Sequence, residues 1–235
     1  MVEPAVAGHA VRRPPRGTTR PGPGAAGPNN AFDRRKLHRD KRLALLNEAA
    51  RVINERGYAT ASLEDVARTL GISKAAVYYY FRNKQEILYE CYLMSFDIWE
   101  AALAEARQRG RSGRERVEIY IRRYLEAGLD TLQPVILVRE QEALEAPYRQ
   151  RIEKRRRSLR NELRGFVAEG ISDGSLAPCN PKPAVTIIGA AISWLLRMYR
   201  PDGELGREAF IDEVARLLLD GIAGGAKARG GGKVR

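Results

Sequence analysis

From Arg34 onward, apolar residues recur every three or four positions, and no stretch shows the strict alternation of a half-buried strand. The pattern predicts an all-α protein. A first helix is read over residues 35–56, with Leu46, Ala49, Ala50 and Ile53 on one face and Gly57 as its stop. Ser62, with Asp65 three residues on, is a capping signal ahead of Val66 and Ala67, and the short helix it opens ends at Gly71. Ser73 opens a third helix through Phe81. Asn83 with Glu86 opens a fourth, over residues 84–107, which turns Leu88, Tyr92, Phe96, Trp99 and Leu103 inward. Beyond the polar linker RGRSGR, five further segments are expected at residues 115–133, 134–144, 147–171, 181–200 and 206–222, separated by the turn-rich SDGSLAPCN and PDGELG. The result is about nine helices in two unequal groups, residues 34–84 and residues 85–224.

Composition adds two flanking segments. Residues 1–33 are dense in Pro and Gly and too poor in apolar side chains to offset the entropy of ordering, so a flexible basic arm is expected, with a Gly-rich basic tail at 225–235. The formal net charge is +12, of which residues 1–42 carry +7 and residues 225–235 carry +4, leaving the body near +1. Such tails are either solvated or held against a polyanion, so a nucleic-acid reading has to rest on a local surface. Cys91 and Cys179 are the two cysteines, without a CxxC, and His9 and His38 the two imidazoles; a reducing compartment and no zinc framework are expected. The longest apolar run, VTIIGAAISWLL, has about 12 residues, short of a membrane span. The N-terminus lacks an apolar signal stretch; it is Arg-rich and acid-poor like an organellar transit peptide, but its Pro and Gly oppose the amphipathic helix that needs. A cytoplasmic, soluble protein is expected. No nucleophile–base set, metal spacing or phosphate loop is visible, so neither an enzyme nor a cofactor is expected.

Residues 62–81 have the layout of a helix-turn-helix. Val66, Leu70, Ile72 and Val77 are apolar where two short helices meet, Ala67 is small where they cross, and Gly71 sits at the sharpest bend. Within KAAVYYYFRNK, Val77 and Phe81 share one face, so Ala75, Tyr78 and Tyr79 point the other way and Tyr80 falls at the edge. Three adjacent tyrosines spread over more than half a helix and cannot all be buried. The outward face suits a DNA major groove: Ala75 and Ala76 allow close approach and offer methyls to thymine, the tyrosine hydroxyls reach phosphate or base edges, and Lys74 can donate to guanine. The competing reading is an aromatic cluster packed under the fourth helix, and Tyr80 stays divided between the two. Lys84 places a cation in the first turn of a helix, against its dipole; either a phosphate docks there or the ammonium is simply solvated.

These residues carry a resemblance. LEDVARTLGISKAAVYYYFRNKQEIL, with Gly57 and Tyr58 ahead of it, resembles the N-terminal signature of TetR-type transcriptional regulators over about residues 38–95. The resemblance implies a homodimeric repressor with a C-terminal ligand domain, and DNA contacts at Ser62, Ser73, Lys74, Ala75, Ala76, Tyr78, Tyr79, Tyr80 and Lys84. Two departures stand out: Ala75-Ala76 replaces a frequent Gly-Thr/Ser pair, and Ala61 stands where a threonine often helps hold phosphate. Operator sequence therefore cannot be borrowed from relatives.

In the C-terminal half, residues 181–200 are apolar nearly all round, which a helix tolerates when covered on two sides. With Phe210, Ile211, Val214, Leu217, Leu218 and Ile222 of the last helix they are read as a dimer interface, the alternative being an intrachain core. Trp99, Tyr120, Tyr124, Gly128 and Trp194 supply either an effector cavity or plain core. The segment RQRIEKRRRSLRNELR is either a solvated face or a source of ligand contacts. The stretch from Tyr148 through ISDGSL, and WLLRMYRPDGEL, are similar to TetR-type regulators of fatty-acid and steroid breakdown. That similarity implies an acyl-CoA thioester as effector, with Arg149, Arg155 or Arg156 meeting its phosphates. The function expected is a repressor bound to double-stranded operator DNA as a homodimer and released by a small molecule. The alternative is a non-specific architectural DNA-binding protein.

Overall fold

A computed structural model of the chain describes residues 29–131 and 142–221. They form eight helices: α1 (Asn29–Arg56), α2 (Leu63–Thr69), α3 (Lys74–Tyr80), α4 (Lys84–Arg109), α5 (Gly113–Thr131), α6 (Ala146–Ser172), α7 (Pro181–Met198) and α8 (Arg207–Asp220). The all-α expectation holds, with eight helices among the described residues where about nine were read. The segment expected at 134–144 lies mostly outside them, and residues 142–143 form a 3-10 turn. α1 begins at Asn29, inside the stretch read as an arm; the remainder of that arm and the tail at 225–235 lie outside the described residues.

Two compact units divide the chain between Arg39 and Asp40, and α1 runs through the division. In the first unit, residues 34–39 of α1 are exposed. The hydrophobic core belongs to the second. Leu45, Leu46, Ala49, Ala50, Val52 and Ile53 of α1 are buried there, at the spacing of one helical face. They meet Leu63, Val66 and Ala67 of α2, Val77 of α3 and Phe81 just beyond it. α4 buries Ile87, Leu88, Cys91, Tyr92, Phe96 and Leu103, a side chain every three or four residues along its length. It packs on both α5 and α6.

Local chemistry sets the remaining crossings. The SDGS turn after α6 reaches the start of α5: Asp173 Oδ2 accepts from Gly113 N (2.9 Å) and Ser175 Oγ accepts from Arg114 N (3.1 Å). Two amides at a helix start, which have no intrahelical partner, are thereby satisfied. The Ser175 and Gly113 donors hold the Asp173 carboxyl below its ordinary range. At this crossing a Cβ on Gly113 would run into the Gly170 backbone. α7 starts with Asn180, whose Oδ1 accepts from Lys182 N (3.0 Å), and with Pro181 in its first turn. Among the described residues, α7 is covered on one side: Val185, Ile188 and Ile192 are buried, while Ile187, Trp194 and Met198 are 63%, 58% and 55% exposed. No helix of the described residues is long and apolar enough to cross a membrane.

Candidate functional site

The helix-turn-helix is assembled by its caps. Ser62 Oγ accepts from Asp65 N (3.1 Å) and donates to Asp65 Oδ2 (2.7 Å), closing the first turn of α2. The Ser62 hydroxyl is the main reason the Asp65 carboxyl lies below its ordinary range, with Arg56 at 3.2 Å and Arg68 at 3.1 Å adding to it. α2 ends in a Schellman turn: Gly71 N donates to Arg68 O and Ile72 N to Ala67 O, with Gly71 at φ +64°. Ser73 Oγ then accepts from Ala76 N (3.2 Å) and opens α3. Both serines that were read as DNA contacts thus also hold helix starts.

The orientation of α3 follows from Val77 and Phe81, which are fully buried. Tyr79 is 74% and Tyr78 46% exposed, Ala75 is exposed and Ala76 half-exposed, so these four share an open face. Tyr80 is half-buried against the core, its ring edge-on to Tyr79 at 5.1 Å. Lys74 is exposed, 5.7 Å from the Tyr78 ring, and its ammonium is ion-paired with Glu64 of α2, which raises its pKa and lowers that of Glu64. Glu64 was not singled out in the sequence, because nothing local shows that α2 and α3 cross at these two positions.

Lys84 is not simply solvated, as one of the two readings of the sequence has it. Its ammonium donates to the carbonyl of Tyr58 and lies 4.1 Å from that residue's ring, with the Ala59 carbonyl at 3.4 Å. The carbonyls of the chain leaving α1 thus face the cation that opens α4. Asn83 and Glu86 satisfy the amides there: Asn83 Oδ1 accepts from Glu86 N (2.8 Å) and Glu86 Oε2 from Arg82 N (2.7 Å). Arg42 of α1 pairs with Glu90 of α4 at 3.2 Å. The residue after Lys84, Gln85, ties α4 to the approach of α6, donating to Ala143 O (2.7 Å) and accepting from Glu145 N (3.0 Å).

α4 and the C-terminal helices line a partly open cavity of about 380 Å³, with Trp194 and Arg197 of its wall exposed. Trp99 of α4 and Tyr120 and Tyr124 of α5 form its aromatic wall; Arg156, Arg160 and Leu163 of α6 and one side of α7, from Val185 to Arg197 and including Trp194, complete it. Burial raises the pKa of both tyrosines, Tyr124 to about 12 against the opposing field of Arg156. The Trp99 indole nitrogen is buried without a hydrogen bond of normal geometry. Of the residues read as a pocket, Trp99, Tyr120, Tyr124, Arg156 and Trp194 come together.

Gly128, Arg149 and Arg155 do not line this cavity. A Cβ on Gly128 would sit 2.7 Å from Leu196 Cδ1, so that glycine serves a close α5–α7 contact. Arg155 faces α4, with Asp97 at 2.6 Å and Glu100 at 2.8 Å, and these carboxylates raise its pKa. Arg149 lies two turns before Arg156 and is half-buried outside the cavity wall. Arg151, Lys154 and Arg157 are solvent-exposed, as the solvated-face reading has it. Arg160 and Arg197 were missed, although Arg160 follows Arg156 by four residues and so shares its helix face.

A capped helix-turn-helix near the N-terminus and a cavity among the C-terminal helices define a one-component DNA-binding regulator. Residues 45–91 match the description "Bacterial regulatory proteins, tetR family" and residues 97–222 match "Tetracyclin repressor-like, C-terminal domain". The chain belongs to the TetR family of bacterial transcriptional regulators, which are DNA-binding, dimerising proteins and not enzymes. It is 28% identical over 196 residues to the fatty acid metabolism regulator protein of Bacillus subtilis (strain 168), covering 80% of this chain and 98% of that one. The crystal structure of PfmR from Thermus thermophilus superposes with a TM-score of 0.65 at 27% identity, over 76% of this chain and 98% of that one. The crystal structure of AibR in complex with isovaleryl coenzyme A and operator DNA shares the fold, with a TM-score of 0.67 at 23% identity and the same coverage.

Proposed function

We propose that the protein is a repressor that binds a pseudo-palindromic operator as a homodimer and leaves it when an acyl-CoA thioester, or a related apolar acid, enters the C-terminal cavity. One observation carries this reading: α4 touches both ends of the switch. Lys84, at its start, holds the Tyr58 and Ala59 carbonyls beside the helix-turn-helix, and Trp99, four turns on, is part of the cavity wall. A ligand that displaces the middle of α4 therefore moves the loop that positions α2 and α3. In a dimer, the two α3 helices must enter successive major grooves roughly 34–36 Å apart, and a tilt of α4 changes that separation. The names of the Bacillus fatty acid regulator and of the AibR complex support the effector class.

In this reading Lys74, Ala75, Ala76, Tyr78 and Tyr79 read the groove, while Ser62, Ser73 and Tyr80 lie where they can meet the flanking backbone. Lys84 acts by holding the loop. Selection of bound fragments from the source genome, followed by anisotropy titration of the recovered site, tests the proposal. An operator should be preferred over random DNA by about 10³-fold or more, and octanoyl-CoA should weaken that binding. Equal binding of random DNA would identify a non-specific architectural protein instead, and indifference to acyl-CoA would remove the effector class.

A further inference from the structure

Arg156 is a charged side chain placed where charge is costly. It is 8% exposed in the wall of a largely apolar cavity, and has no ion pair to a carboxylate among the described residues. Glu153, three residues back on α6, is the smallest of the influences that favour its charge. Its close companions are on α4: Tyr92, which meets it through the hydroxyl as well as through a ring 5.7 Å away, and the Phe96 ring at 5.9 Å. Arg155, next to it, shows what a structural arginine does in this fold: it takes two carboxylates of α4. Burial lowers the pKa of Arg156, yet a guanidinium stays protonated, so the cavity holds a permanent positive charge. Arg160 and Arg197 line the same cavity and form no ion pair among the described residues.

We infer that the cavity binds the anionic group of its ligand internally, with Arg156 as the counter-cation and Arg160 and Arg197 beside it. The ligand class is an apolar or aromatic body bearing a carboxylate or phosphate. The body lies against Trp99, Tyr120 and Tyr124, and the acid forms charge-assisted bonds to the buried guanidinium. The anion competes with the Tyr92 and Phe96 rings for Arg156, which gives the ligand a direct hold on α4. The site rests on the cavity being the effector site of the proposed repressor, and deepens that reading.

Thermal shift and calorimetry on the full chain without DNA test it, using octanoate, octanoyl-CoA and neutral octanamide as probes. Either acid should bind the native protein at least about tenfold more tightly than the amide; octanoate alone would mark a free acid, octanoyl-CoA alone a coenzyme phosphate. Arg156→Met should lose the preference for acid over amide and melt no lower than the native protein, because it removes a buried cation without a carboxylate partner. Arg156→Lys, which keeps a charge, should retain part of the preference. Equal binding of acid and amide, no binding of either acid, or a preference that survives in Arg156→Met overturns the inference. Acid-selective binding that leaves operator affinity unchanged would uphold the site and refute the repressor mechanism.

Discussion

At the scale of single residues, the exposed face of α3 is held ready by neighbours that do not themselves face outward. Val77 and Phe81 are buried and leave Tyr78 and Tyr79 outside. Lys74 is ion-paired with Glu64, so a base contact by Lys74, as proposed above, would exchange a carboxylate for a neutral acceptor on the base edge. Lys74→Ala should relax specificity by about 1–3 kcal/mol at one base pair, seen as a flattened preference in a binding-site selection. A uniform loss over all sequences would reassign Lys74 to phosphate. Glu64→Gln should tighten DNA binding at unchanged preference, read by the same titration; weaker binding would show that Glu64 orients Lys74 rather than masking it. The tyrosine face and both serine caps were legible in the sequence, because each depends on residues within a few positions. Glu64 was not, because its partner lies across the turn.

At the scale of elements, two glycines limit the geometry for different reasons. Gly71 has nothing within 4 Å of a would-be Cβ but sits at φ +64° in the turn that sets α3 against α2. Gly71→Ala should cost about 1–2 kcal/mol from left-handed backbone strain alone. Gly113 has ordinary backbone angles but faces the Gly170 backbone. Gly113→Ala should cost about 1–3 kcal/mol by overpacking and, by separating α5 from α6, should also disturb the cavity. Denaturant unfolding of both variants checks the magnitudes, and equal ligand binding in the two would reject the second effect. The sequence marked Gly71 as a bend. It held no signal for Gly113, read there as part of a polar linker, since the close approach involves residues some 57 positions apart.

At the scale of the whole molecule, α7 presents an apolar stripe that no other helix of the described residues covers. Ile187, Trp194 and Met198 follow one another at helical spacing, all more than half exposed. In a family that dimerises, a second copy is the expected cover, as the sequence reading of residues 181–200 has it. Ile187→Glu or Met198→Glu should convert the dimer to monomer in sedimentation analysis and, with it, remove tight operator binding. Unchanged mass would place the interface elsewhere. Trp194 belongs both to this stripe and to the cavity wall, so the two surfaces adjoin along α7.

The amino-acid sequence by itself determined the helical class, the caps, the helix-turn-helix and its outward tyrosines. These follow from periodicity and from hydrogen bonds spanning three or four residues, which a linear pattern records. The tertiary structure decided what each cation meets. Along the chain Lys74 and Lys84 read as candidate DNA contacts, and Arg155 and Arg156 as ligand contacts or part of a solvated face; folding gives them a carboxylate on α2, backbone carbonyls after α1, two carboxylates on α4 and a cavity wall. Adjacent positions on a helix point about 100° apart. That angle, with the helix packed on either side, separates the structural Arg155 from the cavity-facing Arg156.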